Sequence, residues 1–212
     1  MAEKLQEIID AVVDLDDETT VRLVKEKLEA GESPKDILEA LTSGMNIVGD
    51  KYAAKEYFLS DLVMAAEVFQ SAMELIKPHL TAEETQSCGR IVIGTVEGDL
   101  HDIGKNIFTA LAQNAGFQVI DLGVDVSPDK LTETVANEKA DILAMSGILT
   151  MSADPMKNAV EILKEQGLRD KVKVIIGGLP VDEMWRKEVG ADAATNDAYE
   201  GLKIVKEFVG VK

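Results

Sequence analysis

Cysteine is all but missing from this chain of 212 residues: Cys88 stands alone, so no intrachain disulfide can form. Histidine is almost as scarce. With only His79 and His101 beside that one thiol, a Cys/His zinc site is set aside, and any metal must be held by few protein ligands. Positive charge is in deficit, with 22 Lys and Arg against 39 Asp and Glu and a formal charge of −17. Such a chain repels phosphate backbones and anionic lipid heads, and no basic patch offsets this. Nucleic acid and membrane surfaces are therefore excluded as partners, leaving proteins or small molecules. Long apolar runs are lacking too. Ile142 to Met145 and Val174 to Ile176 fall far short of the roughly 20 residues a bilayer span requires, and the N-terminus does not resemble a signal peptide, so the expected location is the cytoplasm. There is no internal repeat or low-complexity segment. What is present is 46% hydrophobic residues, ample for one large or two small packed domains.

Two periodicities divide the chain. From Glu3 to about Leu80 apolar residues recur at helical spacing, as in Leu5, Ile8, Ile9, Val12 and then Val21, Val24, Leu28, with no strand pattern between them. Breaks at Asp14 to Asp17, Gly31 to Pro34 and Lys51 to Glu56 give four helices, with Ser33 placed to cap one that has Pro34 at its first position. The last, roughly Ser60 to Ile76, carries the apolar stripe of a bundle helix. After the polar segment Thr81 to Gln86 short β-rich runs alternate with helical stretches, so the domains are expected at 1–87 and 88–212. Strands are expected at Arg90 to Thr95, Gln118 to Leu122, Asp141 to Ser146, Lys171 to Ile176 and near Ala191 to Ala194, and a helix from Ile103 to Asn114. The fold class is α/β: a four-helix bundle followed by a five-stranded parallel sheet in flavodoxin-like order, covered on both faces.

In such a sheet, ligands lie beyond the carboxyl ends of the strands, where the first and third strands diverge. The first strand runs into Glu97-Gly-Asp-Leu-His-Asp-Ile-Gly104, the third into Ser146-Gly-Ile-Leu-Thr-Met-Ser152, and the fourth into Gly177-Gly-Leu-Pro180. Glycines there let a ligand approach the backbone, and hydroxyls supply hydrogen bonds without charge. His101 is the only histidine of this half. A lone histidine is usually structural or simply exposed; Asp99 two residues earlier tilts this one toward metal ligation, because a ligating imidazole needs an acceptor on its second nitrogen. A phosphoacceptor receiver would carry an aspartate at Met145-Ser146, and a mononucleotide site a Ser/Thr/Gly loop in place of Glu97, Asp99 and Asp102.

Asp99-Leu-His101-Asp102-Ile103-Gly104 resembles the Asp-x-His-x-x-Gly signature of base-off, His-on cobalamin-binding domains. Ser146-Gly-Ile148 resembles the Ser-x-Leu element of the same family, with isoleucine for leucine, and Gly177-Gly178 its Gly-Gly element. In the helical half, Gly49-Asp-Lys-Tyr52 and Glu56-Tyr-Phe-Leu-Ser-Asp-Leu62 resemble the cap module of methionine synthase and of methylotrophic corrinoid proteins, so the resemblance covers nearly the whole chain. It implies that His101 ligates the cobalt of cobalamin or a related cobamide and that Asp99 and Ser152 complete a hydrogen-bonded relay behind it. Ser146, Thr150, Gly177 and Gly178 would line the channel of the nucleotide tail. Phe58, Leu59 and Leu62 are candidates to cover the upper face, with bundle packing as the equal alternative.

The resemblance further implies a carrier subunit rather than a complete enzyme, since no substrate barrel is present. Methylcobalamin would be the loaded state. A substrate-specific methyltransferase would load it, a second, folate-type methyltransferase would unload it, and a reductive activation protein would restore it. A cobalamin-dependent sensor and the cobalamin subunit of a carbon-skeleton mutase are the rivals; sensors usually append a DNA-binding domain, and mutase subunits generally lack the helical cap. The methyl donor, the lower base and the oligomeric state are not legible.

Overall fold

A computed structural model describes residues 5–80 and 87–211. The chain divides into two compact units, Met1–Gln86 and Ser87–Lys212. The polar segment expected between the domains, Thr81 to Gln86, lies outside the described residues.

In the first unit, α1 (Gln6–Val13), α2 (Asp17–Glu29), α3 (Pro34–Ala53) and α4 (Leu59–Ile76) form the bundle that the apolar spacing demands. The starts follow capping chemistry. Asp16 accepts from the Thr19 N–H (2.9 Å), Ser33 accepts from the Asp36 N–H (3.4 Å) ahead of Pro34, and the Asp61 carboxylate takes the Phe58 N–H (2.7 Å). Ile8, Val12, Leu23, Val24, Ile37, Leu41, Phe69, Ala72 and Ile76 fill the core. Each of the larger side chains among them contributes about 1.5–3 kcal/mol by leaving water, so packing, not helix propensity, holds the bundle. The Tyr57 hydroxyl donates to the Val13 carbonyl (2.8 Å), tying the loop before α4 to the end of α1.

The second unit is a five-stranded, all-parallel sheet in the order β2-β1-β3-β4-β5. Its elements are β1 (Arg90–Thr95), α5 (Ile103–Asn114), β2 (Gln118–Asp121), α6 (Pro128–Glu138), β3 (Ile142–Ser146), α7 (Ala153–Glu165), β4 (Lys173–Gly177), α8 (Glu183–Val189), β5 (Ala193–Thr195) and α9 (Ala198–Phe208). The fourth strand starts two residues later than expected because Lys171 and Val172 donate to the Leu168 carbonyl in a turn. The fifth starts late for a similar reason: Ala191 N–H is held by Arg186 at the end of α8.

Both faces of the sheet are covered, so the inner strands are apolar at consecutive positions. Val92, Leu143, Met145, Val174 and Ile176 pack with α6, α7 and α8, while α5 and α9 pack together against the face that carries the alternate residues Ile91, Ile93, Ile142 and Ile175. β1 therefore feeds a helix on one face and its neighbour β3 feeds α7 on the other. A crevice opens between their carboxyl ends, and the loops 96–102, 147–152 and 178–182 surround it.

Candidate functional site

Asp99 is the centre of the rim. It is fully buried, and its carboxylate collects donors from two loops. Oδ1 accepts the main-chain N–H of His101 (3.1 Å) and lies 2.7 Å from His101 Nδ1. Oδ2 accepts the N–H groups of Ile148 (2.7 Å) and Leu149 (3.3 Å) and the Ser152 hydroxyl (2.9 Å). Burial is the largest single influence on its proton affinity and raises it. The bonds from Ile148, from His101 ring and main chain and from Ser152 together outweigh burial and hold the carboxyl well below the usual range.

An ionised Asp99 fixes the histidine tautomer. A carboxylate only accepts, so Nδ1 is the nitrogen that carries the proton in the neutral ring, where Nε2 holds the lone pair. The ring is 55% exposed, so that lone pair is accessible to a ligand. The main chain of the loop is pinned as well: Thr95, buried at the end of β1, donates its hydroxyl to the His101 carbonyl (3.0 Å), and Val96 N–H reaches the Ser146 carbonyl (3.0 Å).

Two glycines make the second loop fit. A Cβ on Gly147 would lie 2.5 Å from the Ser152 Cβ, in the space that brings Ser152 to Asp99. Gly178 has φ +142°, and a Cβ there would lie 2.0 Å from the Gly147 carbonyl oxygen. Its lack of a side chain is thus required by the rim's own backbone, a stricter demand than the ligand channel the sequence suggests. Gly177, paired in register with Ser146, has its nearest such contact at 3.5 Å and is under no such constraint.

Of the expected site residues, Asp99, His101 and Ser152 come together, and Ile148 joins them through its N–H. Asp102, Ile103 and Gly104 form the exposed start of α5, the exposed Thr150 opens a 3₁₀ turn that ends at the buried Ser152, and Ser146 ends β3. In the helical unit Phe58 is 74% exposed and Leu59 44%, whereas Leu62 is fully buried. Thr95, Gly147 and Leu149 are site residues that sequence reasoning missed. A hydroxyl at the last position of an apolar strand was the signal for Thr95.

The rim exposes several large apolar side chains. Leu100, Ile103, Met151 and Leu179 range from 64% exposed for Met151 to 79% for Leu179, and a Cβ on Gly98 or Gly104 would meet nothing within 4 Å. None of the three loops carries Lys or Arg. Among the described residues no three metal-binding side chains cluster. One open imidazole nitrogen on an apolar platform fits a flat, metal-bearing macrocycle. No helix among the described residues is long and apolar enough to cross a membrane.

Comparison with known proteins identifies the family. A family described as B12 binding domain matches residues 89–203, and a second B12 binding domain family matches residues 4–77. The dimethylamine corrinoid protein 2 of Methanosarcina acetivorans is 36% identical over 208 residues, 98% of this chain and 96% of that protein. A crystal structure of a cobalamin-binding protein from Desulfitobacterium hafniense DCB-2 is 39% identical with a TM-score of 0.83, covering 96% of this chain and 98% of that one. A chain of the methanol:cobalamin methyltransferase complex of Methanosarcina barkeri is 28% identical with a TM-score of 0.87, covering 99% of this chain and 81% of that one. The matches span both units and from 81% to 98% of each relative's length, and the chain belongs to the B12-binding corrinoid proteins.

Proposed function

We propose that this protein is a methyl carrier that holds cobalamin, or a related cobamide, base-off with His101 as the lower cobalt ligand. The observation that carries the reading is the Asp99–His101 pair, which commits Nδ1 and leaves Nε2 for the metal. When bound, the cofactor supplies a nucleophilic cobalt that can accept and release a methyl group. The residues do the rest. Asp99 fixes the tautomer and basicity of His101, and Ser152 with the Ile148 and Leu149 N–H groups holds Asp99 in place. Leu100, Ile103, Met151 and Leu179 offer apolar surface to the macrocycle, while Ser146, Thr150, Gly177 and Gly178 border the way for the nucleotide tail. Residues 1–87 act as the cap, with Phe58 and Leu59 as its exposed apolar residues, and residues 88–212 as the carrier domain.

No side chain at the rim is arranged as a general acid or nucleophile toward an organic substrate, so the chain works with partners: a substrate-specific methyltransferase, an acceptor methyltransferase of folate type and a reductive activation protein. Donor recognition belongs to the first of these. Reconstitution with cobalamin tests the reading. The expected results are about one equivalent bound, a base-off spectrum with histidine ligation that is lost in His101→Ala, and methyl transfer with a cognate methyltransferase pair. Unchanged cobalt coordination in His101→Ala, or an adenosyl upper ligand in the protein as isolated, would contradict it.

A further inference from the structure

Lys105 is the third residue of α5, where the helix dipole opposes a cation, and it is only 4% exposed, which opposes a charge of either sign. Methionine or leucine would fill the same space without either penalty, and a buried ion pair rarely exceeds an apolar pair in stability. What the lysine adds is direction. Its ammonium donates to Asp121 Oδ2 at the end of β2 and to Asn106 Oδ1 (2.7 Å).

From there the bonds close into a ring. Asn106 donates to the carboxylate of Asp102 (3.1 Å), the residue after His101. On the other side, Asp121 Oδ1 accepts the Gly123 N–H (2.8 Å), the Gly123 carbonyl accepts the Thr95 N–H (2.9 Å), and Thr95 donates to the His101 carbonyl (3.0 Å). The loop after β2 adds a second tie: Asp125, at φ +55°, accepts the Gly98 N–H (2.8 Å) and donates its own N–H to the Asp99 carbonyl (3.1 Å). The main chain of His101 is thus gripped from both flanks, and Lys105 is the group through which the flanks join.

We propose that Lys105, with Asp121 and Asn106, is a positioning residue that sets the His101 loop so that the imidazole reaches the metal. The inference rests on His101 being the cobalt ligand. It concerns the loop's orientation, a role separate from the tuning of the ring by Asp99.

The test uses full-length protein reconstituted with cobalamin and reduced to the cobalt(II) form. Cobamide affinity is measured together with the ratio of histidine-on to histidine-off cofactor, read from nitrogen splitting in the electron paramagnetic resonance spectrum. Lys105→Met combined with Asp121→Asn removes both charges and keeps the acceptor for Gly123. The expected result is an apo-protein with parental circular dichroism and a ratio reduced about tenfold, as for other groups that orient a metal ligand. Asn106→Ala, an exposed change that leaves the buried pair intact, should lower the ratio about fivefold, the worth of roughly one hydrogen bond. It decides the matter if the double variant fails to fold. Parental ratio and affinity in these variants, with histidine ligation present in the parent, would reduce Lys105 to a structural role. A parent without histidine ligation would overturn instead the reading on which the inference rests.

Discussion

In the helical unit the one buried polar side chain among the described residues, Thr20, donates to the Asp16 carbonyl one turn back in its own helix (2.7 Å). The α/β unit also buries hydroxyls that bond within a helix, Thr132 and Thr134 on α6, but it buries four further polar groups that do not. Thr95, Asp99, Lys105 and Ser152 each bond to a residue on another element, and the Asp99–Ser152 bond joins residues 53 apart. Hydroxyls that satisfy themselves locally cost little and specify little. Groups that cross between loops are expensive if any partner is missing, and they gather at one end of one sheet, where the fold has something to hold in place.

Removing the hub of that network should therefore have the largest effect. Asp99→Ala leaves donors from His101, Ile148, Leu149 and the buried Ser152 without their acceptor, and is expected to lower apo-protein stability by about 3 kcal/mol in urea unfolding. A loss no greater than that of an ordinary surface substitution would break the comparison.

Gly178→Val should follow, at about 3 kcal/mol, because its Cβ meets the Gly147 carbonyl oxygen and its φ of +142° disfavours a side chain. The damage is expected in the apo-protein as well as in the cobamide complex. A variant of parental stability that only bound cobamide more weakly would restore the ligand channel as the reason for this glycine.

Acid sharpens the contrast further. Asp99 has a lower pKa folded than unfolded, so the unfolded chain binds the extra proton first and stability rises with pH across that interval. The contribution is complete above the unfolded value of about 3.9 and is lost as pH falls through the lower folded value. The parent should lose stability below about pH 4 more steeply than Asp99→Asn does. Parallel acid limbs in stability measured by urea unfolding would contradict the ionised, fully bonded carboxylate.

The smallest effects compare two single hydroxyls. Ser152→Ala should cost about 1–2 kcal/mol because a buried charged acceptor loses a donor, while Thr20→Val should stay within about 0.5 kcal/mol. Equal costs, measured side by side in urea, would show that crossing between loops gives the hydroxyl no added weight.

Sequence alone carried the architecture far because its signals are local. Ser33-Pro34 marks the start of α3, the run from Arg90 to Thr95 is β1 to the residue, and alternation of strand and helix sets the parallel order. Asp99, His101 and Ser152 were legible through a motif, and the structure adds that they meet. What stayed hidden depends on contacts between distant residues: the Lys105–Asp121 pair, the approach of Gly178 to Gly147, and the burial that separates Leu62 from Phe58 and Leu59. Periodicity says which residues share a face, not which of them stays exposed after folding. Strand starts slipped at Lys173 and Ala193 because preceding turns claim backbone donors that an apolar run does not reveal.

The central claim is that a protein imidazole, His101, binds cobalt, and isotopic substitution tests it directly. Protein grown with ¹⁵N-histidine and loaded with unlabelled cobalamin, then reduced to cobalt(II), should show the axial splitting of its resonance lines change from the triplets of ¹⁴N to the doublets of ¹⁵N. The same labelling in His101→Ala should leave no histidine splitting, since His79 is the only other histidine and lies outside the α/β unit. Triplets that persist in the labelled parent would assign the lower ligand to the cofactor's own base and contradict the account.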